Sequence, residues 1–173
     1  MIAPVAIFAV GNRSRGDDAV GPLLIERLRE WLDAEGRAGE FELFEEYQLQ
    51  VENALDLEGR RLALFIDACR DTTGPVAFGA VAATGTMTGH STHALTPGTV
   101  LGVYLKVTGE AAPPAFTLGV RASEFDLGSA PSAAAIEAME DAWAFLRELC
   151  RCPRHAEWQT MAAVACHRRA PPT

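Results

Sequence analysis

The apolar stretch VAIFAV over Val5–Val10 runs straight into a polar turn, GNRSRGDDAVG over residues 11–21, and then into a segment where Val20, Leu23, Leu24, Leu28, Trp31 and Leu32 recur at helical spacing. The pattern predicts a strand, a sharp turn and an amphipathic helix, and a junction of this kind is where α/β proteins place ligands. Gly11 and Asn12 suit the positive φ of a turn, Pro22 suits a first helical turn, and Asp17 and Asp18 fall where a helix N-terminus favours negative charge. One of these acids is expected to cap the helix, which leaves its neighbour without a capping role.

Further along, the same reading predicts a strand over residues 41–47, a short helix over 51–57 and a strand, RLALFID, over 61–67. That last run is apolar on both faces until its final residue, as in the covered interior of a parallel sheet. A fourth strand, 76–83, follows after too short a link for a helical crossover and is expected to run antiparallel to its predecessor. The Gly- and Thr-rich loop ATGTMTGHSTHALTPG leads to a helix over 99–107, a strand over 115–120 and a helix over 132–149. Ser132 is placed to cap that last helix, with Ile136, Met139, Trp143 and Leu146 as its buried stripe. The fold class is α/β: a three-layer α/β/α sandwich with a mixed, mostly parallel sheet, of the phosphorylase/hydrolase-like kind.

The 173 residues suit one domain over 1–149, followed by a C-terminal extension over 150–173 that Pro153 and the RRAPP run mark as irregular. Fifteen basic against twenty-three acidic residues leave a net charge of -8, which argues against a nucleic-acid partner. No apolar run approaches the ~20 residues that span a bilayer and the MIAP start lacks a charged signal region, so no membrane insertion and a cytoplasmic location are expected. Four cysteines, one near a strand end and three near the C-terminus, make no disulfide framework.

Three polar positions stand out on this scaffold: Asp18 after the first strand, Asp67 at the tip of the third and His93 in the long loop. Parallel sheets bind ligands beyond their carboxyl ends, where both acids fall, and ten extended residues reach ~33 Å, enough to bring His93 back to them. Two carboxylates and an imidazole suit zinc, nickel or iron and leave coordination positions open. His90 is an alternative ligand, and Asp67 could instead be satisfied by backbone amides at a strand end. There is no GxGxxG, no phosphate loop with its Lys, and no GxSxG elbow; Cys69 reads as a small buried residue. Cys150, Cys152, His155, Cys166 and His167 superficially resemble a zinc set, but their spacing fits no common pattern.

At these residues the chain resembles the hydrogenase maturation proteases, the endopeptidases that process the nickel-iron hydrogenase large subunit. The matching pieces are VGNRSRGDDAVGP (10–22), YQLQVENALDL (47–57), FIDACRD (65–71), STHALTPGTVLG (91–102) and EFDLGSAPS (124–132), in order along most of residues 5–149. The resemblance implies a hydrolase, an aspartyl-type endopeptidase, that removes a C-terminal extension from the large-subunit precursor after nickel insertion. It implies that Asp18, Asp67 and His93 contact nickel supplied by that substrate protein. A monomer is expected. Some relatives carry Glu at the position of Asp18. Gln48, Gln50 and Glu52 could line the cleft or form a solvated helix start. Two other readings stay open: a peptidase or amidase of the same fold on another substrate, and a non-catalytic nickel-sensing or chaperone module.

Overall fold

The computed structural model describes residues 1–85 and 95–167 of the chain, with the side chains of 166 and 167 excepted. Five strands form one sheet: β1 (Val5–Val10), β2 (Phe41–Glu46), β3 (Leu62–Cys69), β4 (Val76–Val81) and β5 (Ala115–Arg121), in the spatial order β2-β1-β3-β5-β4. β1, β2, β3 and β5 are mutually parallel and β4 pairs antiparallel with β5. Four helices, α1 (Val20–Ala34), α2 (Pro97–Thr108), α3 (Ala133–Arg151) and α4 (His155–His167), accompany them. β1 and the first five residues of β3 are buried on both faces, as their unbroken apolar runs require.

Side chains alternate between two cores. Ile7, Leu64, Ile66, Phe116 and Leu118 face α1, α3 and α4, whereas Phe8 and Phe65 face α2 and a 3-10 helix over Val51–Leu57. The result is the mixed, mostly parallel three-layer α/β sandwich expected from the sequence. Local chemistry sets the helix ends: Thr96 and Ser132 accept hydrogen bonds from Thr99 and Ala135 N–H, each at 3.2 Å, to start α2 and α3.

Three details differ from the sequence reading. β4 has the expected direction, but β5 lies between it and β3. The link over residues 70–75 allows this, because two strand spacings are only ~10 Å and six residues reach ~20 Å. On α3 the buried stripe is Ala135, Ala138, Ala142, Trp143, Leu146 and Leu149, while Ile136 is 46% exposed and Met139 half-buried. The alanines let the helix lie close to the sheet, and Trp143 packs edge-on to Trp31 with the Arg27 guanidinium 4.5 Å over its ring.

The third difference is the segment after Leu149, which is helical over His155–His167 rather than irregular. Trp158 anchors it: the indole is fully buried against Phe116 and Phe78, and its N–H donates to the Leu149 carbonyl at 3.0 Å. Trp158→Ala is expected to lower stability by about 3–5 kcal/mol, the usual effect of emptying a large aromatic site. Urea unfolding checks this, and a change of less than about 1 kcal/mol would show that α4 contributes little to the core.

Candidate active site

The site begins with a turn that only glycine can make at its first position. Gly11 has φ 147°, and a Cβ there would sit 2.0 Å from the Asp18 carbonyl oxygen. Asn12, the other residue expected at positive φ, has none; it is buried and makes an Asx turn instead, its Oδ1 accepting from Ser14 N–H at 2.8 Å. Its side-chain amide donates to the Tyr47 hydroxyl. A 3-10 turn over Gly16–Ala19 then carries both acids into α1. Gly21 sets the depth of that helix, since a Cβ there would lie 2.7 Å from the Val10 carbonyl and 3.4 Å from that of Ile66. The start of α1 is thereby pressed onto the carboxyl ends of β1 and β3.

Neither acid caps α1, contrary to the expectation from helix-start preferences. Asp17 is fully buried and turns to the loop between β5 and α3. It accepts from Ser132 N–H at 2.6 Å, Ser123 N–H at 2.8 Å, Glu124 N–H at 3.0 Å and the Ser132 hydroxyl at 3.0 Å. Desolvation pushes its pKa up, but the backbone donors outweigh it and hold the carboxyl below its ordinary range. Further bonds lace the same two loops: Gly16 N–H to Ser129, Gly128 N–H to Ser14, and the Arg15 guanidinium to the Phe125 carbonyl.

Asp18 is the free member of the pair. Half-exposed, it accepts from the Asn12 backbone N–H at 2.8 Å. Asp67 lies on β3 in line with the end of β1, and helps to line a cleft of about 470 Å³ with Val10, Leu49, Phe65, Cys69 and Pro97. Although Asp67 is exposed by area, desolvation by its surroundings pushes its carboxyl up to about 6; the Ala68 N–H opposes this and the charge of Asp18 adds to it. The negative charge of Asp18 thus reaches Asp67, an arrangement that favours an incoming positive ion.

That raised value has a measurable sign. The folded carboxyl binds its proton more tightly than the unfolded one at 3.8, so Asp67 favours the folded state below about pH 4 and this contribution is lost as pH rises to about 6. Asp67→Asn is therefore expected to gain stability relative to the parent across that window and to stay level above it. A stability difference independent of pH between 4 and 7 would contradict the raised carboxyl.

His93 and the alternative His90 lie outside the described residues. Among the described residues no three His, Cys, Asp or Glu side chains assemble to hold a metal. Cys69 is half-buried in the cleft, not enclosed as expected. Of the tail's superficially zinc-like set, Cys150 is buried with its thiol pushed up to about 12, and Cys152 is exposed. Gln48, Gln50 and Glu52 are exposed, and Gln50 forms a reciprocal cap with Asn53. Tyr47, which the sequence reading passed over, joins the site through Asn12; only its place at the head of YQLQ could have signalled it. A larger groove of about 690 Å³ under α4 carries Asp141 and Glu148 but neither strand-end acid. No helix among the described residues is long and apolar enough to cross a membrane.

Comparison with solved structures finds proteins of similar fold. The [NiFe] hydrogenase maturation protease HycI from Thermococcus kodakarensis is similar over 86% of this chain and 93% of its own, with 25% identity and a TM-score of 0.61. The hydrogenase maturating endopeptidase HybD from E. coli matches over 85% and 92%, with 17% identity and a TM-score of 0.58. HybD from Thermococcus kodakarensis covers 84% of this chain and 97% of its own, at 20% identity and a TM-score of 0.54. No protein-family model and no curated protein sequence matches the chain.

Proposed function

We infer that this chain, a member of the hydrogenase maturation protease family, is an endopeptidase that removes the C-terminal extension of a nickel-iron hydrogenase large-subunit precursor once nickel is in place. The observation that carries the reading is the likeness over nearly the whole chain to a solved maturation protease at 25% identity, with Asp67 near the end of β3 under the charge of Asp18 in the turn that follows β1.

In this reading the nickel belongs to the substrate, and Asp18, Asp67 and His93 complete its coordination. Asp67, which lines the cleft, also serves as general base toward the water that attacks the scissile carbonyl. The Asn12 N–H fixes the Asp18 carboxylate, and Asp17 ties its turn to the opposite loop, so that the acid is held before the precursor arrives. Cytoplasmic action as a monomer belongs to the same proposal.

The test is to incubate the purified protein with nickel-loaded precursor and follow the loss of C-terminal mass. Nickel-free precursor is expected to stay intact. Binding without any mass loss would replace the enzyme with a sensor or chaperone. The chain alone is expected to retain far less than one nickel after gentle purification, since three donors without a fourth make a weak site. Elemental analysis decides this, and a stoichiometric, chelator-resistant metal would point to a self-contained metallohydrolase.

A further inference from the structure

The sheet face that carries Asp67 is unusual in what stands beside the carboxylate. Strand register sets Asp67, Gly119 and Ala77 abreast on β3, β5 and β4, and sets Phe65, Thr117 and Gly79 abreast in the neighbouring row. All four residues contributed by β5 and β4 are small. On the opposite face the same strands present Phe78, Phe116 and Leu118, which are packed into the core. The small residues floor the cleft, and Val10, Leu49, Phe65, Leu95 and Pro97 are among its walls. Among the described residues Asp67 is the only carboxylate in that lining, and no described Lys or Arg contributes to it.

We propose that this depression is a specificity subsite of the peptidase, which receives an uncharged, apolar side chain next to the scissile bond of the precursor, with Gly79 setting how large that side chain can be. The inference rests on the endopeptidase reading. Its occupant follows from continuity with the catalytic carboxylate: a peptide whose carbonyl is presented to Asp67 must place a flanking side chain within a few ångströms, and the space there is the apolar trough. About 470 Å³ accommodates one or two side chains. A carboxylate side chain would be repelled by Asp67 and would exchange water for apolar walls.

Two glycines in the trough have different jobs. At Gly119 a Cβ would come within 3.1 Å of the Cys69 Cβ and 3.6 Å of the Ala77 Cβ, so its absence lets the strands' side chains pack. At Gly79 a Cβ would meet nothing within 4 Å among the described residues, so none of them packs into the volume above it. Gly79 has no positive φ, so a β-branched residue suits its strand backbone. Gly79→Val is therefore a substitution that fills the trough while leaving the fold intact.

The experiment uses nickel-loaded precursors in which each residue flanking the scissile bond is varied in turn among Ala, Val, Met and Asp. With the parent protein, kcat/KM at one of the two positions is expected to favour Val and Met over Asp by ~10-fold or more, the scale at which pockets sort side chains. Gly79→Val should lose ~10-fold or more on Met at that position and stay within about threefold on Ala. Equal losses on all precursors, or none on any, would overturn the subsite while leaving the endopeptidase standing. If the parent protein cleaves no precursor, the endopeptidase reading falls and the subsite with it. Matched urea midpoints for parent and Gly79→Val exclude misfolding as the source of the loss.

Discussion

Asp17→Ala is expected to remove about 4 kcal/mol of stability. The carboxylate is fully buried and accepts four hydrogen bonds, three from backbone N–H groups that have no other assigned acceptor. Leaving such donors unpaired costs about 1–3 kcal/mol each before water or relaxation repairs part of the loss. Against a total of about 5–15 kcal/mol for a domain of ordinary stability, the variant would stand near its unfolding threshold. Asp18→Ala, next door, should cost only about 1 kcal/mol, because it removes one hydrogen bond, from the Asn12 N–H, rather than four. The contrast is read from paired urea curves, and similar midpoints for the two variants would remove Asp17 from its role. Acid adds a second check: the Asp17 contribution is complete above 3.8 and is lost as pH falls through its lower folded value, so the parent and Asp17→Ala should converge only in acid.

The second large effect is on activity. Asp18→Asn and Asp67→Asn are each expected to reduce precursor cleavage at least ~100-fold, as removal of a metal-binding or proton-accepting carboxylate does. Asn at position 18 still offers an oxygen to the Asn12 N–H, so folding should survive the change. His93→Ala is expected to fall with them. Cys69→Ala should cleave normally, although Cys69 lines the same cleft. A dead Cys69→Ala beside active Asp18→Asn and Asp67→Asn variants would establish a thiol mechanism in place of the carboxylate one.

The two central strands were readable because burial on both faces erases the polar alternation, and VAIFAV and LALFI are too short for helices and too apolar for edges. Asp67 was readable for the converse reason: it is the first charge after such a run. Sheet order was not, since β5 lies between two strands joined by six residues, and no local pattern records which strand a given strand will pair with. The difference between Asp17 and Asp18 was equally invisible. Their side chains are identical, and what separates them is a loop more than a hundred residues away that supplies Ser123, Glu124 and Ser132. On α3 Trp143 and Leu146 were legible as buried, but the first two turns were one residue out because alanines, weak in any hydropathy scan, mark the buried face there. α4 escaped because a single Trp158 anchors a segment that otherwise reads as Ala-rich and polar.

The insertion of β5 between two earlier strands also fixes an order of events during synthesis. A nascent chain that has emerged only through β4 holds β1, β2 and β3, which can pair among themselves, but its β4 has no neighbour until β5 arrives. β5 must then dock on β3 by its parallel edge and receive β4 on the other, joining stretches from both halves of the chain. The acidic turn waits longer still. Until the ribosome has passed Ser123, Asp17 has none of its four donors, and until it has passed Ser132 it lacks two of them, so the turn that carries Asp18 is not yet fixed. The last pieces of sheet and loop to be made are those that set the acid turn, so a partly synthesised chain carries the candidate site's residues but not its geometry.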